Sequence, residues 1–224
     1  MRMKLAAALG LVAILASGAY AADPPSMDEI VKDFQQKGKS FSTVTRVWSQ
    51  IVSFDIPPGF HGVYEKTTGP NFMLELVPQN ETATAWTQMI TLTGHRGLAA
   101  NPNVTPQLLA SNIGAGFQKA CPETFNAAGL GPMHTTEGTP AQGFSVLSSC
   151  GWVKAPGSDR SESALILALA GVHDYYTVQW AERGPSSPQK LELGDPKWRA
   201  RLMQLNAKLI CPIAVANDPA GPGC

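Results

Sequence analysis

Residues 163–182 contain two short segments whose apolar side chains point to both sides, and this pattern restricts the fold strongly. The first segment carries large side chains on one side and smaller ones on the other: Leu165, Leu167 and Leu169 against Ala164, Ile166 and Ala168. The second segment runs from Tyr175 to Glu182, after the tight turn 171–174. A strand that is apolar on both faces has to be covered on both sides. We therefore predict that this hairpin lies at the centre of an enclosed sheet.

Six further segments have the alternation and the β-branched or aromatic content of strands. They span residues 47–56, 61–66, 71–77, 86–93, 133–137 and 142–150. Most are joined by short spacers rich in glycine and proline, which favour antiparallel connections.

Three helices are predicted, over residues 26–36, over residues 106–120, and from 196 through Leu209. Each begins with a side chain that can accept hydrogen bonds from free backbone N–H groups, namely Ser26, Thr105 and Asp195. The last helix has the most regular spacing of apolar residues in the chain.

These elements together predict an α+β fold in which one antiparallel sheet has helices packed on both faces, a three-layer sandwich. A single domain over residues 47–210 is expected. A helix and loop over residues 22–46 would precede it, and a tail over residues 211–224 would follow it.

The order of elements resembles the PsbP-like fold, which an oxygen-evolving-complex subunit and a nuclear-import factor share. The resembling stretches are FDIPPGF (54–60), NFMLELVPQNETATAWTQMITL (71–92), ALILALAGVHDYYTVQWAER (164–183) and the closing helix. With the elements between them they cover residues 47–210. The resemblance implies an accessory or binding protein without chemistry of its own, because known members of that fold are mostly of this kind.

The first twenty-one residues are typical of a secretory signal peptide. Arg2 and Lys4 precede an apolar run over residues 5–16, and the small residues Ala19 and Ala21 precede the expected cleavage site. Spanning a bilayer takes about 20 apolar residues, which is longer than this run. The sequence predicts export to the periplasm, with secretion as the alternative, and no membrane insertion after cleavage.

The charge balance argues against nucleic acid as a partner. The chain has 17 basic and 17 acidic residues, and the predicted signal peptide removes two basic ones, Arg2 and Lys4. The mature chain would have a net charge of −2, which does not attract a polyanion. No motif for a cofactor is present, so none is predicted.

Four cysteines follow the predicted signal peptide, and an oxidising compartment favours their pairing. Cys121 and Cys150 are expected on the apolar sides of a helix and a strand, which favours a disulfide between them. Cys211 would then pair with Cys224 and hold the tail. A metal site is not predicted, because the close ligand spacings usual for zinc are missing.

A candidate ligand-binding cleft is suggested by two polar residues within apolar segments, Glu75 and Gln179. A carboxylate buried in such a segment costs several kcal/mol unless it is paired or hydrated. Trp86, Tyr176 and Trp180 could line the cleft, since ligand pockets combine apolar walls with few polar groups. The alternative interpretation places Glu75 in solvent at a sheet edge and the three aromatic residues in the core.

Three functions remain open, and the first is favoured: a non-catalytic periplasmic accessory or binding protein for an unknown protein or small-molecule partner in the cell envelope. No nucleophile motif of the α/β-hydrolase type is present. The second is an exported hydrolase, which would need the carboxyl groups of Glu75 and Glu182 to converge within about 5–10 Å for glycoside chemistry. The third is a structural component of an envelope assembly that docks through an exposed strand edge or through the basic stripe of the last helix: Lys197, Arg201, Gln204 and Lys208.

Overall fold

The computed structural model describes residues 41–137, 140–153, 160–205 and 207–213. The strands in these ranges are β1 (Phe41–Ser42), β2 (Thr45–Val47), β3 (Gln50–Ser53), β4 (Asp55–Ile56), β5 (Phe60–Thr68), β6 (Asn71–Pro78), β7 (Gln88–His95), β8 (Phe125–His134), β9 (Gln142–Cys150), β10 (Arg160–Ala170), β11 (Tyr175–Pro185) and β12 (Leu209–Pro212). The α-helices are α1 (Pro106–Ala120) and α2 (Pro196–Leu205).

Seven strands form the central antiparallel sheet, in the order β5-β6-β7-β11-β10-β9-β8. The hairpin β10–β11 lies in the middle, as its apolar pattern predicts, and its register pairs Ala168 with Thr177. The remaining strands form two small antiparallel sheets, β12-β3-β2 and β1-β4. Consecutive strands of the hairpins are neighbours, so short turns connect most of the central sheet.

One face of the central sheet, which we call the strand-covered face, carries the large apolar side chains. Its core residues are Phe60, Phe72, Leu76, Ile90, Leu92, Leu147, Leu165, Leu167, Leu169, Tyr176, Val178 and Trp180. The small sheets, the segment after α2 and α2 itself pack on them through Val47, Val52, Phe54, Ile56, Trp198, Leu205, Ala207 and Ile210.

The opposite face, which we call the helix-covered face, has a thinner core. Ala110 of α1 packs on Val146, Ala164, Ile166 and Ala168 of the sheet. Leu109, Ile113 and Phe117 of the helix and Phe144 and Ala181 of the sheet complete this cluster. Small side chains here allow α1 to approach β8, β9 and β10 closely.

The predicted sandwich with helices on both faces is wrong for the described residues, which are mainly antiparallel strands with two α-helices. Helix α1 covers one face, but the other is covered largely by strands, with α2 beside β4. The cause is pairing: β3 lies between β2 and β12, so segments distant in the chain close this face as strands. The helix predicted over residues 26–36 lies outside the described residues.

Several element boundaries differ from the prediction, and the single strand predicted over residues 47–56 is divided between β2, β3 and β4. Helix α2 ends at Leu205, and Leu209 belongs to β12, because residues 209–212 pair with β3. Strand β8 begins at Phe125, well before the predicted 133, since pairing with β9 compensates for a segment rich in glycine and alanine. Strands β1 and β2 begin within residues 22–46, which were predicted as a helix and loop. They pair with β4 and β3.

Both helix starts are confirmed by their caps. The Thr105 side chain accepts a hydrogen bond from the backbone N–H of Leu108 at 3.1 Å. The Asp195 carboxylate accepts one from the N–H of Lys197 at 2.9 Å. Such caps satisfy N–H groups that the first turn leaves free.

The disulfide predicted between Cys121 and Cys150 is confirmed, with a Cα–Cα distance of 5.7 Å. It joins the end of α1 to the end of β9. Cys211 is also in a disulfide. Cys224, its predicted partner, lies outside the described residues.

None of the helices in the described ranges combines the length and the apolar character that crossing a bilayer requires.

Candidate binding pocket

Glu75 and Gln179 lie on the helix-covered face in one cross-strand row. Glu75 is opposite Thr91 in β7, and Thr91 is opposite Gln179 in β11. Burial raises the pKa of the Glu75 carboxyl above its ordinary value. The structure therefore brings these two predicted residues to one surface, with a threonine between them.

A chain of polar contacts continues from Gln179 across the same face. The Gln179 amide donates to Thr177 Oγ1 at 3.3 Å, and the hydroxyls of Thr177 and Thr93 lie 2.7 Å apart. Thr93 Oγ1 is 3.3 Å from Nε2 of His95, whose Nδ1 is 3.2 Å from Asn71 Oδ1. Burial lowers the pKa of the His95 imidazole. These polar groups are thus occupied with one another.

The three predicted aromatic residues lie elsewhere. Tyr176 and Trp180 belong to the core of the strand-covered face. Trp86 lies between β6 and β7, where the guanidinium carbon of Arg183 is 3.5 Å from the centroid of its ring. The five residues predicted to form one cleft are therefore distributed over two faces and a loop.

The carboxylates of the hydrolase hypothesis are on opposite faces of the sheet. Glu75 alternates with Leu74 and Leu76, which pack on the strand-covered face, so Glu75 points the other way. Glu182 is two residues after Trp180 in β11, so its side chain points to the strand-covered face, where it forms ion pairs with residues of α2. Two carboxyl groups separated by the sheet do not converge on one substrate.

The basic stripe proposed for docking is largely engaged within the protein. Arg201 is 15% exposed and pairs with Glu182, as does Lys197. Lys208 lies 3.3 Å from Asp55 and 3.8 Å from Glu137. These contacts fasten α2 and the following segment to the rest of the fold.

A pocket of about 540 Å³ lies at one end of the strand-covered layer. Four separate segments form it: the end of β2 with the β2–β3 turn, the turn after β7, the turn between β10 and β11, and Ile213 after β12. The lining residues are Arg46, Trp48, Ser49, Arg96, Gly97, His173, Asp174 and Ile213. We call it the cationic pocket.

The wall of the cationic pocket depends on an unusual backbone at Trp48. This residue has a φ of 52°, in the left-handed region that side chains rarely adopt. Its ring lies against Gly94, where a Cβ would be only 3.0 Å from the indole. Arg46 Nε donates to the carbonyl oxygen of Trp48 at 3.2 Å. The turn therefore contributes both an indole and a guanidinium group to the lining of the pocket.

The floor of the pocket is a buried polar cluster around Asp174, which is 2% exposed. Its carboxylate accepts a hydrogen bond from the backbone N–H of Gly97 at 2.7 Å and one from the Tyr176 hydroxyl at 3.2 Å. Burial and the adjacent carboxylate strongly raise the pKa of Tyr176. The hydroxyl also lies 3.3 Å from Oε1 of Gln50, which is fully buried. Asp174 thus holds two turns together.

The pocket carries an excess of positive charge. Among the described residues, neither Arg46 nor Arg96 forms an ion pair, and both side chains are exposed. Asp174 balances one of these two charges, so one positive charge remains. An anion entering here would meet guanidinium groups without first displacing a carboxylate from them.

Sequence reasoning missed this pocket because its residues come from positions more than 120 apart in the chain. The turn 171–174 was predicted from the sequence, and loops are where binding residues concentrate. Their convergence depends on the pairing of β2 with β3 and of β7 with β11.

No protein-family model and no curated protein matches the sequence. Among solved structures, the chain is similar to the Ran-binding protein Mog1p of Saccharomyces cerevisiae, with a TM-score of 0.42 and 9% identity over 75% of this chain and 93% of that one. It is also similar to cyanobacterial PsbP from Synechocystis sp. PCC 6803, with a TM-score of 0.39 and 9% identity over 76% and 89% of the two chains. The resemblance to the PsbP-like fold is confirmed as one of fold, and it carries no information on ligand or partner.

Proposed function

We propose that this protein is an exported, non-catalytic periplasmic binding protein, and that its ligand is a small organic anion with a flat apolar part. The observation that carries the proposal is the cationic pocket, which is lined by an indole and by two guanidinium groups without ion-pair partners in the described ranges.

The chemistry of the lining matches such a ligand. Guanidinium groups bind carboxylates through two parallel hydrogen bonds, which fixes orientation as well as charge. The ring of Trp48 and the side chain of Ile213 supply apolar surface for the rest of the ligand. A volume of about 540 Å³ falls within the range of small-molecule sites.

Binding is favoured over hydrolysis by the arrangement of the same residues. The pocket contains Ser49, His173 and Asp174, which are the residue types of a hydrolase triad. In the described ranges no hydrogen bond joins the side chain of Ser49 to that of His173, or that of His173 to Asp174. Both oxygens of Asp174 instead hold Gly97 and Tyr176, so no base is oriented toward a nucleophile.

Export is supported by the sequence of residues 1–21 and by the disulfide between Cys121 and Cys150, since disulfides persist in oxidising compartments. Mass and amino-terminal analysis of protein from the native host tests this part. We expect a chain that begins at Ala22 and has no titratable thiol. An intact leader or reduced cysteines would contradict export.

The ligand class is tested with 2-naphthoate as the probe and calorimetry as the measurement. Replacing Arg46 and Arg96 together by glutamine should weaken binding at least tenfold, because hydrogen bonds to charged groups contribute about 1.5–3 kcal/mol each. Arg199→Gln, on the exposed side of α2, removes the same charge elsewhere and should leave binding unchanged.

The neutral analogue 2-naphthamide separates charge recognition from apolar contact. We expect it to bind at least tenfold more weakly than 2-naphthoate to the unmodified protein. Equal affinity for the two probes, or full affinity in the Arg46/Arg96 double variant, would refute an anion site in this pocket.

A further inference from the structure

A second concave region lies on the helix-covered face, along the flank of α1. It is a groove of about 340 Å³, and we call it the α1 groove. Its helical side consists of Gln107, Ser111, Gly114, Ala115 and Gln118; its sheet side consists of Phe125, Ala127, Ala128, Gly129, Phe144, Val146 and Ser148. The groove exists because α1 packs mainly over β9 and β10 and leaves part of the edge strand β8 uncovered.

The α1 groove has no charge. None of its twelve lining residues is ionisable, whereas the cationic pocket holds two arginines, a histidine and an aspartate. An ionised ligand would lose hydration here without gaining an opposite charge, which is strongly unfavourable. The lining therefore selects for an uncharged molecule.

The shape of the groove favours a slender molecule. Small residues face each other across it, with Gly114 and Ala115 on the helix and Ala127 and Gly129 on β8. Phe125, Phe144 and Val146 provide an apolar floor. The helix contributes neutral polar groups at the rim, from Gln107, Ser111 and Gln118, whose side chains are exposed.

One polar atom in the wall of the groove lacks a partner. Ser148 is fully buried, and within the described ranges its Oγ makes no hydrogen bond. It lies against Gly114, where a Cβ would come within 2.6 Å of the hydroxyl oxygen. Buried hydroxyls are nearly always hydrogen-bonded in folded proteins, so an isolated one in the wall of a groove points to a missing ligand atom.

We propose that the α1 groove binds an uncharged, slender apolar molecule that carries one hydrogen-bonding group, such as a medium-chain alcohol. The apolar chain lies on Phe125, Phe144 and Val146, and its polar end hydrogen-bonds to Ser148. This site is separate from the cationic pocket and does not depend on the function proposed for it.

Octan-1-ol is the probe, with octanoate as the charged analogue of equal chain length. Binding to the full mature chain is followed by NMR, through the backbone amide signals of residues that line the groove, among them Ala115, Ala127 and Gly129. We expect saturable shifts of these signals with octan-1-ol and at least tenfold weaker binding of octanoate. Equal affinity for the two probes, or shifts confined to other parts of the protein, would overturn the proposal.

Two variants test the geometry of the groove. Ala127→Leu places a larger side chain in it at an exposed strand position and should weaken octan-1-ol binding at least tenfold. Ala200→Leu makes the same change on the exposed side of α2 and should have no effect. Unchanged affinity in Ala127→Leu would show that the alcohol binds elsewhere.

A second pair of variants tests the hydroxyl. Ser148→Ala should weaken octan-1-ol binding about threefold to tenfold, which corresponds to one neutral hydrogen bond. Ser149→Ala removes the neighbouring buried hydroxyl, which already donates to the Asn126 carbonyl, and should leave the affinity unchanged. Full affinity in Ser148→Ala would overturn the role of this residue.

These measurements test the two proposed sites independently of each other. The Arg46/Arg96 double variant should keep its affinity for octan-1-ol, and Ala127→Leu should keep its affinity for 2-naphthoate. A circular dichroism spectrum like that of the unmodified protein shows that Ala127→Leu and Ser148→Ala are folded, whether or not naphthoate binds. If Ala127→Leu loses both affinities and the spectrum of a folded protein, Ala115→Val replaces it as a smaller addition to the groove. Unchanged octan-1-ol affinity in Ala115→Val would then contradict the proposal.

Discussion

The two faces of the central sheet are closed in different ways. The strand-covered face buries leucine and aromatic side chains beneath small sheets and α2, whereas the helix-covered face buries a smaller cluster of alanine, valine and isoleucine side chains, with Gly114 and Ser148, at α1. Large side chains fill the space between layers, and small ones let a helix approach but leave a groove at its flank. We therefore expect the strand-covered face to contribute more to stability, whereas the helix-covered face offers space for a ligand.

The largest expected effect comes from neighbouring residues of β10 that point to the two faces. Leu167→Ala on the strand-covered face should lower the free energy of unfolding by about 2–5 kcal/mol, the usual cost of a buried leucine. Ala168→Gly on the helix-covered face should cost about 1 kcal/mol. Urea denaturation measures both. Equal losses would show that the two faces contribute alike.

Removal of the disulfide between Cys121 and Cys150 should have the next largest effect. The bond closes a loop with a sequence separation of 29, and its loss in the double alanine variant should cost about 3–4 kcal/mol. Loss of the bond should loosen the helix-covered face more than the strand-covered face, so amide exchange is expected to rise more in α1 than in α2. A uniform rise over both helices would mean that the bond does not secure α1 specifically.

A smaller effect of opposite sign is expected from Ser148→Ala in the absence of any ligand. A buried hydroxyl without a partner carries a desolvation cost, so its removal should raise the free energy of unfolding by about 1 kcal/mol. Ser145→Ala provides the control, because the Ser145 hydroxyl donates to the Gly131 carbonyl at 3.2 Å. That variant should be destabilised. Thermal unfolding of both variants makes the comparison, and destabilisation by Ser148→Ala would indicate a bound partner in the free protein.

The smallest effect is expected at Glu75 and depends on pH. Burial raises the pKa of this carboxyl, so the folded state holds the proton more strongly than the unfolded state, and ionised Glu75 destabilises the fold. Glu75→Gln should therefore raise stability at pH 7 by about 0.5 kcal/mol or less, because the group is partly exposed.

The gain from Glu75→Gln should shrink as the pH falls through the raised pKa and vanish below the ordinary value of 4.5. Melting temperatures of both proteins between pH 4 and 7 measure this difference. A constant difference over that range would assign the effect to something other than ionisation.

The sequence predicted much of the central sheet because its evidence is local. Alternation in residues 164–169 indicated a strand covered on both sides, and the caps at Thr105 and Asp195 located two helix starts. The pairing of Cys121 with Cys150 also followed from local periodicity. The covering of the strand-covered face was mispredicted, because β2 and β12 are short segments that become strands only by pairing with β3.

The candidate site shows the same limit. Glu75 and Gln179 were singled out as polar positions within apolar strands, and strand pairing places them on one face of the sheet. Tyr176 and Trp180 were grouped with them on composition alone, whereas their parity in β11 directs them to the opposite face. Arg46, Arg96 and His173 have no distinctive local pattern, so only the fold brings them together.

By itself, the sequence determined most strands of the central sheet, the starts of two helices and the pairing of Cys121 with Cys150, because each depends on side chains a few positions apart. The tertiary structure decided how the second face is closed, where positive charge gathers, and that a groove remains beside α1. Those features depend on distances between segments far apart in the chain, and such distances are set by strand pairing and packing rather than by local preference.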